Sequence, residues 1–414
     1  MSLDLLFKKV RLASDPTQRV DIGVKGGVIV DMAPRLHCDC PTEHVGGHLV
    51  TSGFVDSHIH LDKSCISSRC SCVTGTLQEA ISETAKAKHN FTEEDIYARG
   101  QRTLEKAIIQ GTTAMRTHVE LDPRIGLKGF HAIRKLKRDY AWAIDLQICV
   151  FPQEGLFNDP GTDELLWQAC EAGADLIGGC PYTDTEPKQQ IARIFDIAHH
   201  FDIDIDFHLD FNLDPSKSDL AEVCQQTKAH GYGGRVAAGH VTQLSALPPK
   251  AFETEAHRLA DAGVALTVLP STDLFLMGRD ATHSVPRGVT LVHRLLKHGV
   301  NGSLATNNVL NPFTPFGDCS LIRMANLYAN IAQIGDEAGL EACFDLVSSR
   351  PAALMNKKRY EIAIGNPATL IALDTENKAS AIAELAQPLF GYKDGRKSFT
   401  RPRATLRQPE TNHA

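Results

Sequence analysis

Eight apolar, β-rich runs recur between residues 50 and 308, and segments of helical periodicity separate them. They read VTSGFVDSHIH (50–60), TTAMRTHVE (112–120), DLQICVFPQ (145–153), DLIGGCPYT (175–183), DIDFHLD (204–210), VAAGHVT (236–242), VALTVLPST (264–272) and NGSLATNN (301–308). Near-continuous apolar runs mark strands covered on both faces, and strand–helix alternation calls for parallel crossovers. The helical segments include TEEDIYARGQRTLEKAIIQ (92–110), KQQIARIFDIAHHF (188–201) and DLAEVCQQTKAHG (219–231), several ending at a glycine suited to cap a helix C-terminus. The predicted class is α/β, a (β/α)8 TIM barrel over residues 51–362 whose chemistry sits at the C-terminal strand ends.

Outside the barrel, DLLFKKVRL, VDIGVKGGVIVDMA, IGNPATLIALD and LFGYKDGRKSFTR read as short strands joined by glycine turns. Neither end alone buries a core. Residues 1–50 and 363–414 are therefore expected to close together into a small β-sandwich domain.

Composition narrows the partners. The 414 residues are 43% hydrophobic with a net charge of -7, which leaves no basic footprint for nucleic acid. No apolar run reaches membrane-spanning length, and Lys8 and Lys9 break the first one; a cytoplasmic protein with no membrane partner is expected. The eleven cysteines lack Cys-x-x-Cys spacing, and Cys38/Cys40 and Cys70/Cys72 form only Cys-x-Cys pairs, so reduced, mostly buried thiols are expected.

The chemistry concentrates at the strand ends. In GFVDSHIHLDKS (53–64), His58 and His60 alternate along one strand and so face the same side. His208 lies near the end of the fifth run and His240 near the end of the sixth. Neutral imidazoles converging from separate strands, with one position open for water, are what Zn²⁺ or Fe²⁺ requires. His58, His60, His208 and His240 are thus the predicted metal set, around one divalent ion serving a small-molecule substrate. No lysine closes the fourth run, so a carbamylated lysine bridging two metals is not indicated.

HIHLDKS, RTHVE (116–120), DLQICVFPQEG (145–155), DFHLD (206–210), GHVT (239–242), MGR with a following PRG (277–288) and NPFTPFG (311–317) together resemble the amidohydrolase superfamily. Within it they are similar to the cytosine deaminase and N-isopropylammelide amidohydrolase branch, nearly end to end. The resemblance implies a homo-oligomeric, metal-dependent hydrolase of non-peptide carbon–nitrogen bonds in a cyclic amide, amidine or N-heterocycle. It implies His58, His60 and His208 as ligands, with His240 beside them or bonded to the hydrolytic water or substrate. It also implies Gln153 on the amide edge of a ring, and Lys63 against the substrate.

Two positions depart from that branch. Where the family's eighth strand ends in an aspartate that takes the proton of the hydrolytic water, this chain has Asn307, followed by Asn308. Three residues after His208, where cytosine deaminases shuttle a proton with glutamate, it has Phe211. An amide has no usable basicity and a phenyl ring moves no proton, whereas each general acid or base is typically worth about 10² to 10⁴ in rate. A neutral Asn307 leaves a metal its full positive charge and favours an anionic ligand, while Phe211 offers an apolar face to a planar group. Gln153, Phe211, Lys63 and Asn308 are the expected substrate contacts, and Asp210, His240 and Asn307 the expected catalytic groups. Asp210, two residues after His208 and so on the same strand face, is the first replacement base; Asp62, Glu120, His118 and Asp214 follow. The alternatives are a catalytically divergent protein of this fold that binds a small, anionic ligand, and a metal-assisted reaction other than hydrolysis.

Overall fold

The computed structural model describes residues 2–407. Every one of the eight runs contains a strand: β1 (Phe54–Ile59), β2 (Thr112–Glu120), β3 (Asp145–Phe151), β4 (Leu176–Ile177), β5 (Asp204–Leu209), β6 (Val236–His240), β7 (Val264–Val268) and β8 (Gly302–Leu304). They pair in parallel in that order. Between β8 and β1 the backbone of Asn307 closes the ring, its N–H donating to His58 O at 2.8 Å and its O accepting from His60 N–H at 2.9 Å. The expected barrel is what the chain forms.

Burial explains why these runs are strands. All nine residues of β2 and all six of β1 are buried, because helices cover one face and the barrel interior the other. The helix Glu93–Ile109 is capped where Thr92 accepts from Asp95 N–H, and it buries Ile96, Leu104, Ala107 and Ile108. Burial of Ile96, Leu104 and Ile108 stabilises the fold by roughly 1.5–3 kcal/mol each. The helix Leu220–Ala229 ends, as its sequence suggests, before Gly231 at φ +67°. The helix Pro187–Phe201 instead ends on Asp202 at φ +53°, a left-handed position that sequence reading does not flag.

One run needs correction. Residues 50–60 span two sheets: Leu49–Thr51 pairs with Leu5–Leu12 and with Leu370–Leu373, and only from Phe54 does the chain join the barrel. Gly53 lies at the crossing, where a Cβ would collide with the Thr113 side chain.

Leu49–Thr51 belongs to a mixed eight-stranded sheet that also takes Leu5–Leu12, Asp15–Lys25, Val28–Ala33, Thr42–His44, Leu370–Leu373, Pro388–Lys393 and Arg396–Thr400. The sheet folds over on itself: Phe7 meets Tyr392 edge to face at 4.9 Å, Val28 bridges Pro367, and Val10, Ile22 and Phe390 share one core with them. The expected sandwich is therefore one continuous sheet whose two halves face each other. Residues 408–414 of the expected range lie outside the described residues.

The cysteine expectation fails at one pair. Cys38 and Cys40, in the bend before Thr42–His44, are joined as a disulfide with Cα atoms 5.3 Å apart, a span that such a bridge accommodates. The remaining nine are free, six of them buried. No helix among the described residues is long and apolar enough to cross a membrane.

Candidate metal centre and active site

The C-terminal strand ends bring five buried histidines together: His58 from β1 and His60 just after it, His118 from β2, His208 from β5 and His240 from β6. His208 Nε2 lies 3.1 Å from His58 Nε2 and 3.1 Å from His60 Nε2. Two nitrogens each bound about 2.1 Å from one ion, at tetrahedral to near-square angles, sit roughly 3.0–3.4 Å apart. Two of the three donor pairs, His58–His208 and His208–His60, therefore have the spacing of ligands on a shared divalent ion. Burial, then the neighbouring imidazoles, pushes the pKa of His58 and of His208 well below the ordinary value; for His60 it is burial, then Lys63. All three are held in the neutral form that ligation needs.

His118 also has a ring nitrogen within 4.8 Å of donors on His58 and His208. Its ring stacks on His58 at 3.8 Å, and its Nε2 lies 3.6 Å from Asp206, which Arg116 holds at 2.7 Å. His58, His118 and His208 thus form the trio whose donors all lie close to one another, while His60 joins them through its 3.1 Å contact with His208. His118 lies inside β2, in the run expected to be a strand.

His240 stands one step out, its ring 5.8 Å from that of His208 and 6.0 Å from that of His58. The four predicted ligands thus divide into three and one. Its backbone is left-handed at φ +70°, and its Nδ1 donates to Asp273 Oδ1 at 2.7 Å. Asp273, fully buried on the helix Pro270–Leu276 that follows β7, is the partner sequence reading missed. It is the first residue after the run that ends at Thr272, in LPSTD, where Pro270 starts a helix rather than prolonging the strand.

Asn307 is buried at φ +61°, and neither its Oδ1 nor its Nδ2 finds a hydrogen-bond partner. Leaving a buried polar group unpaired costs about 1–3 kcal/mol, so this amide is poised for a ligand beside His58 and His60. Asn308 is committed elsewhere, accepting from Asn311 Nδ2 at 2.7 Å, and this ties down the NPFT loop.

The base expected first is not at the site. Asp210 has φ +50°, which breaks the strand alternation, and its carboxylate accepts from Ser218 Oγ at 2.6 Å and from Asp219 N–H at 2.9 Å. It anchors the start of the helix Leu220–Ala229 and does not share the face of His208. Asp214 binds the N–H and Oγ of Ser216 in its own turn. Asp62 accepts the N–H groups of Lys63 and Glu120, and burial, then Glu120, raises its pKa to about 6. Burial opposes ionisation of Glu120, but Lys63 and Lys88 outweigh it and leave its carboxyl below the ordinary value.

Lys63 is buried, donating to Glu120 at 2.5 Å and to Gln153 Oε1 at 3.3 Å, with its ammonium 4.2 Å from the Phe313 ring centre. Lys88 joins the same network through Glu120, Asp122 and Glu154 at 2.5–2.9 Å. Phe211 covers His240, ring centres 3.9 Å apart, and packs with Ala80, Leu276, Met277 and Phe313 into an apolar ceiling. A cavity of about 400 Å³ opens beside it, between Leu77, Met277 and Arg279.

Known proteins resemble this chain in sequence and fold to differing degrees. A profile of the amidohydrolase family matches residues 142–396. N-isopropylammelide isopropyl amidohydrolase of Pseudomonas sp. is 26% identical over 408 residues, 95% of this chain and 96% of its own. Pterin deaminase of Rhizobium rhizogenes is 27% identical over 87% of this chain and 83% of its own. The crystal structure of 5-methylcytosine deaminase from Klebsiella pneumoniae liganded with 5-fluorocytosine superposes with a TM-score of 0.93 at 27% identity, covering 98% of this chain and 99% of that one. With the profile spanning more than half of its length and a barrel of the same architecture, the chain belongs to the amidohydrolase family.

Proposed function

We propose that the protein is a metal-dependent hydrolase of carbon–nitrogen bonds in a cyclic amide, amidine or related N-heterocycle, with proton transfer moved away from strand 8. Membership in the amidohydrolase family makes it a hydrolase of non-peptide carbon–nitrogen bonds, and the N-heterocycle is the substrate class named for the relatives above. The observation that carries the metal is the pair of 3.1 Å contacts joining His58, His208 and His60 through their Nε2 atoms. Those three would hold one divalent ion, zinc or iron. When bound, such an ion supplies Lewis acidity, lowering the pKa of water and polarising an unsaturated carbon.

The chain's own groups do the rest. The free amide of Asn307 orients a hydroxyl or ring heteroatom by hydrogen bonding but accepts no proton. His240, with its Nδ1–H on Asp273, presents Nε2 as the basic atom. Gln153, steadied by Lys63, offers an amide edge to a ring. Phe211 and Phe313 form an apolar wall against a planar face and exclude water.

Protein purified without chelators is expected to carry one zinc or iron per chain, and to release ammonia or an amine from at least one aminated pyrimidine, triazine or pteridine. Chelation abolishes that turnover, and His60→Ala loses the ion. Metal-free protein with all four histidines intact would overturn the reading. Asn307 and Phe211 favour a second reading, a binding protein of this fold. Calorimetric binding of such a heterocycle without release of amine would establish it.

A further inference from the structure

We propose that Asp273 is a positioning residue that fixes His240 in the one neutral tautomer able to take a proton, so that the helix after β7 helps supply what Asn307 cannot supply after β8. The inference rests on the hydrolytic reading of the site given above.

The geometry leaves little choice of tautomer. A carboxylate only accepts, so the 2.7 Å contact between Asp273 Oδ1 and His240 Nδ1 places the hydrogen on Nδ1 and the lone pair on Nε2. Asp273 has no other orientation to adopt, because Oδ2 accepts from Leu269 N–H at 3.1 Å and the side chain is shut off from solvent. The imidazole is fixed as firmly. His240 and Val241 leave β6 at φ +70° and +46°. That strained pair is pinned where Thr290 Oγ1 donates to Val241 O at 2.7 Å and Val241 N–H donates to Leu209 O at 2.9 Å. Phe211 covers one ring face at 3.9 Å. Among the described residues no protein group bonds Nε2, so it is the atom left for water and substrate.

Backbone strain held in place by surrounding contacts, at a residue whose far nitrogen is unpaired, marks an imidazole aimed at a reacting atom. An aspartate that orients histidine through Nδ1–H sets which nitrogen is basic and stabilises the imidazolium that forms. Applied here, the proton released as water attacks passes to His240 Nε2, and from there to the departing nitrogen, so the proton count closes without Asn307.

The test uses zinc-loaded protein labelled with ¹⁵N-histidine. The His240 signals, assigned by their loss in His240→Asn, are expected to show a protonated Nδ1 and an unprotonated Nε2. Asp273→Asn, whose amide presents a donor as readily as an acceptor, is expected to mix the tautomers. It is expected to lower kcat 10²- to 10⁴-fold with KM within about threefold and zinc content unchanged, and Asp273→Glu to recover part of the loss. Wild-type His240 protonated on Nε2 overturns the proposal without any variant. So does an Asp273→Asn protein that folds, binds zinc and keeps wild-type kcat, which would leave the hydrolase reading standing. Wild-type protein that turns over no N-heterocycle sinks the hydrolase reading instead, and the tautomer measurement still decides what Asp273 does.

Discussion

Gly239, one residue before His240 and opposite His208 across the β5–β6 ladder, has no side chain because His58 occupies the space. A Cβ at this position would lie 2.9 Å from His58 Cε1 and 3.0 Å from Nδ1. Unstrained carbon contacts need about 3.5–4.0 Å, so in Gly239→Ala the imidazole must retreat by roughly 0.6 Å or more. It cannot retreat freely, since His118 stacks on its other face at 3.8 Å. Metal–ligand distances tolerate only about ±0.2 Å. Perturbing a ligand's orientation typically costs 10- to 100-fold in metal affinity, or about 1.4–2.7 kcal/mol. The backbone at Gly239 is not left-handed, so alanine adds no strain there and the barrel should remain folded. Zinc competition against a chromophoric chelator measures the affinity, and circular dichroism with a melting curve checks the fold. A folded Gly239→Ala protein that binds zinc as tightly as wild type would refute His58 as a ligand.

Asn307→Asp places an anion beside His58 and His60 and is expected to tighten divalent-ion binding at least about tenfold by the same competition assay; unchanged affinity would show that the side chain faces away from the ion. Asp210→Asn is expected to keep activity within about threefold, since its carboxylate serves Ser218 and Asp219, and a large loss would restore it as the base. Burial raises the Asp210 pKa to about 6, with the hydrogen bond from Asp219 opposing, from 3.8 in the unfolded chain. The folded state thus binds this proton more tightly, and wild type loses about 3 kcal/mol relative to Asp210→Asn as pH rises from about 4 to above 6, measurable by urea unfolding. Lys88→Met strands Glu120, Asp122 and Glu154 without their shared cation and should cost about 3–5 kcal/mol in the same measurement; a loss below 1 kcal/mol would mean the cluster is not buried as described.

The barrel was legible because its strands are covered on both faces, so all nine residues of β2 are buried, its polar Arg116, His118 and Glu120 along with Ala114, Met115 and Val119. Apolar character says nothing about which sheet a run joins, and for that reason Leu49–Thr51 and Phe54–Ile59 looked like one strand. The histidines were visible because each occupies a strand end, where parity fixes direction. Parity assumes extended backbone, and Asp210 at φ +50° breaks it, so the first base inferred from sequence turns away from the site. Asp273 was missed for the complementary reason: a helix turn after β7, not strand alternation, carries it to His240. The burial of Lys63 was not legible, because its partners, Glu120 and Gln153, arrive from β2 and from the loop after β3.

The carboxylates near the histidines each have an occupation. Asp206 holds Arg116, Glu120 holds two lysines, Asp62 collects backbone N–H groups and Asp210 starts a helix. Asp273 bonds the imidazole of His240 at 2.7 Å, and Asp206 lies 3.6 Å from that of His118. In the proposed ligand set, three neutral histidines would stand beside a neutral amide, while the charge of Lys63 is balanced by Glu120. An ion held there would keep its full charge at the substrate. Compared with a site closed by an aspartate, such a centre favours a ring that binds as its anion, and leaves His240 to handle the proton.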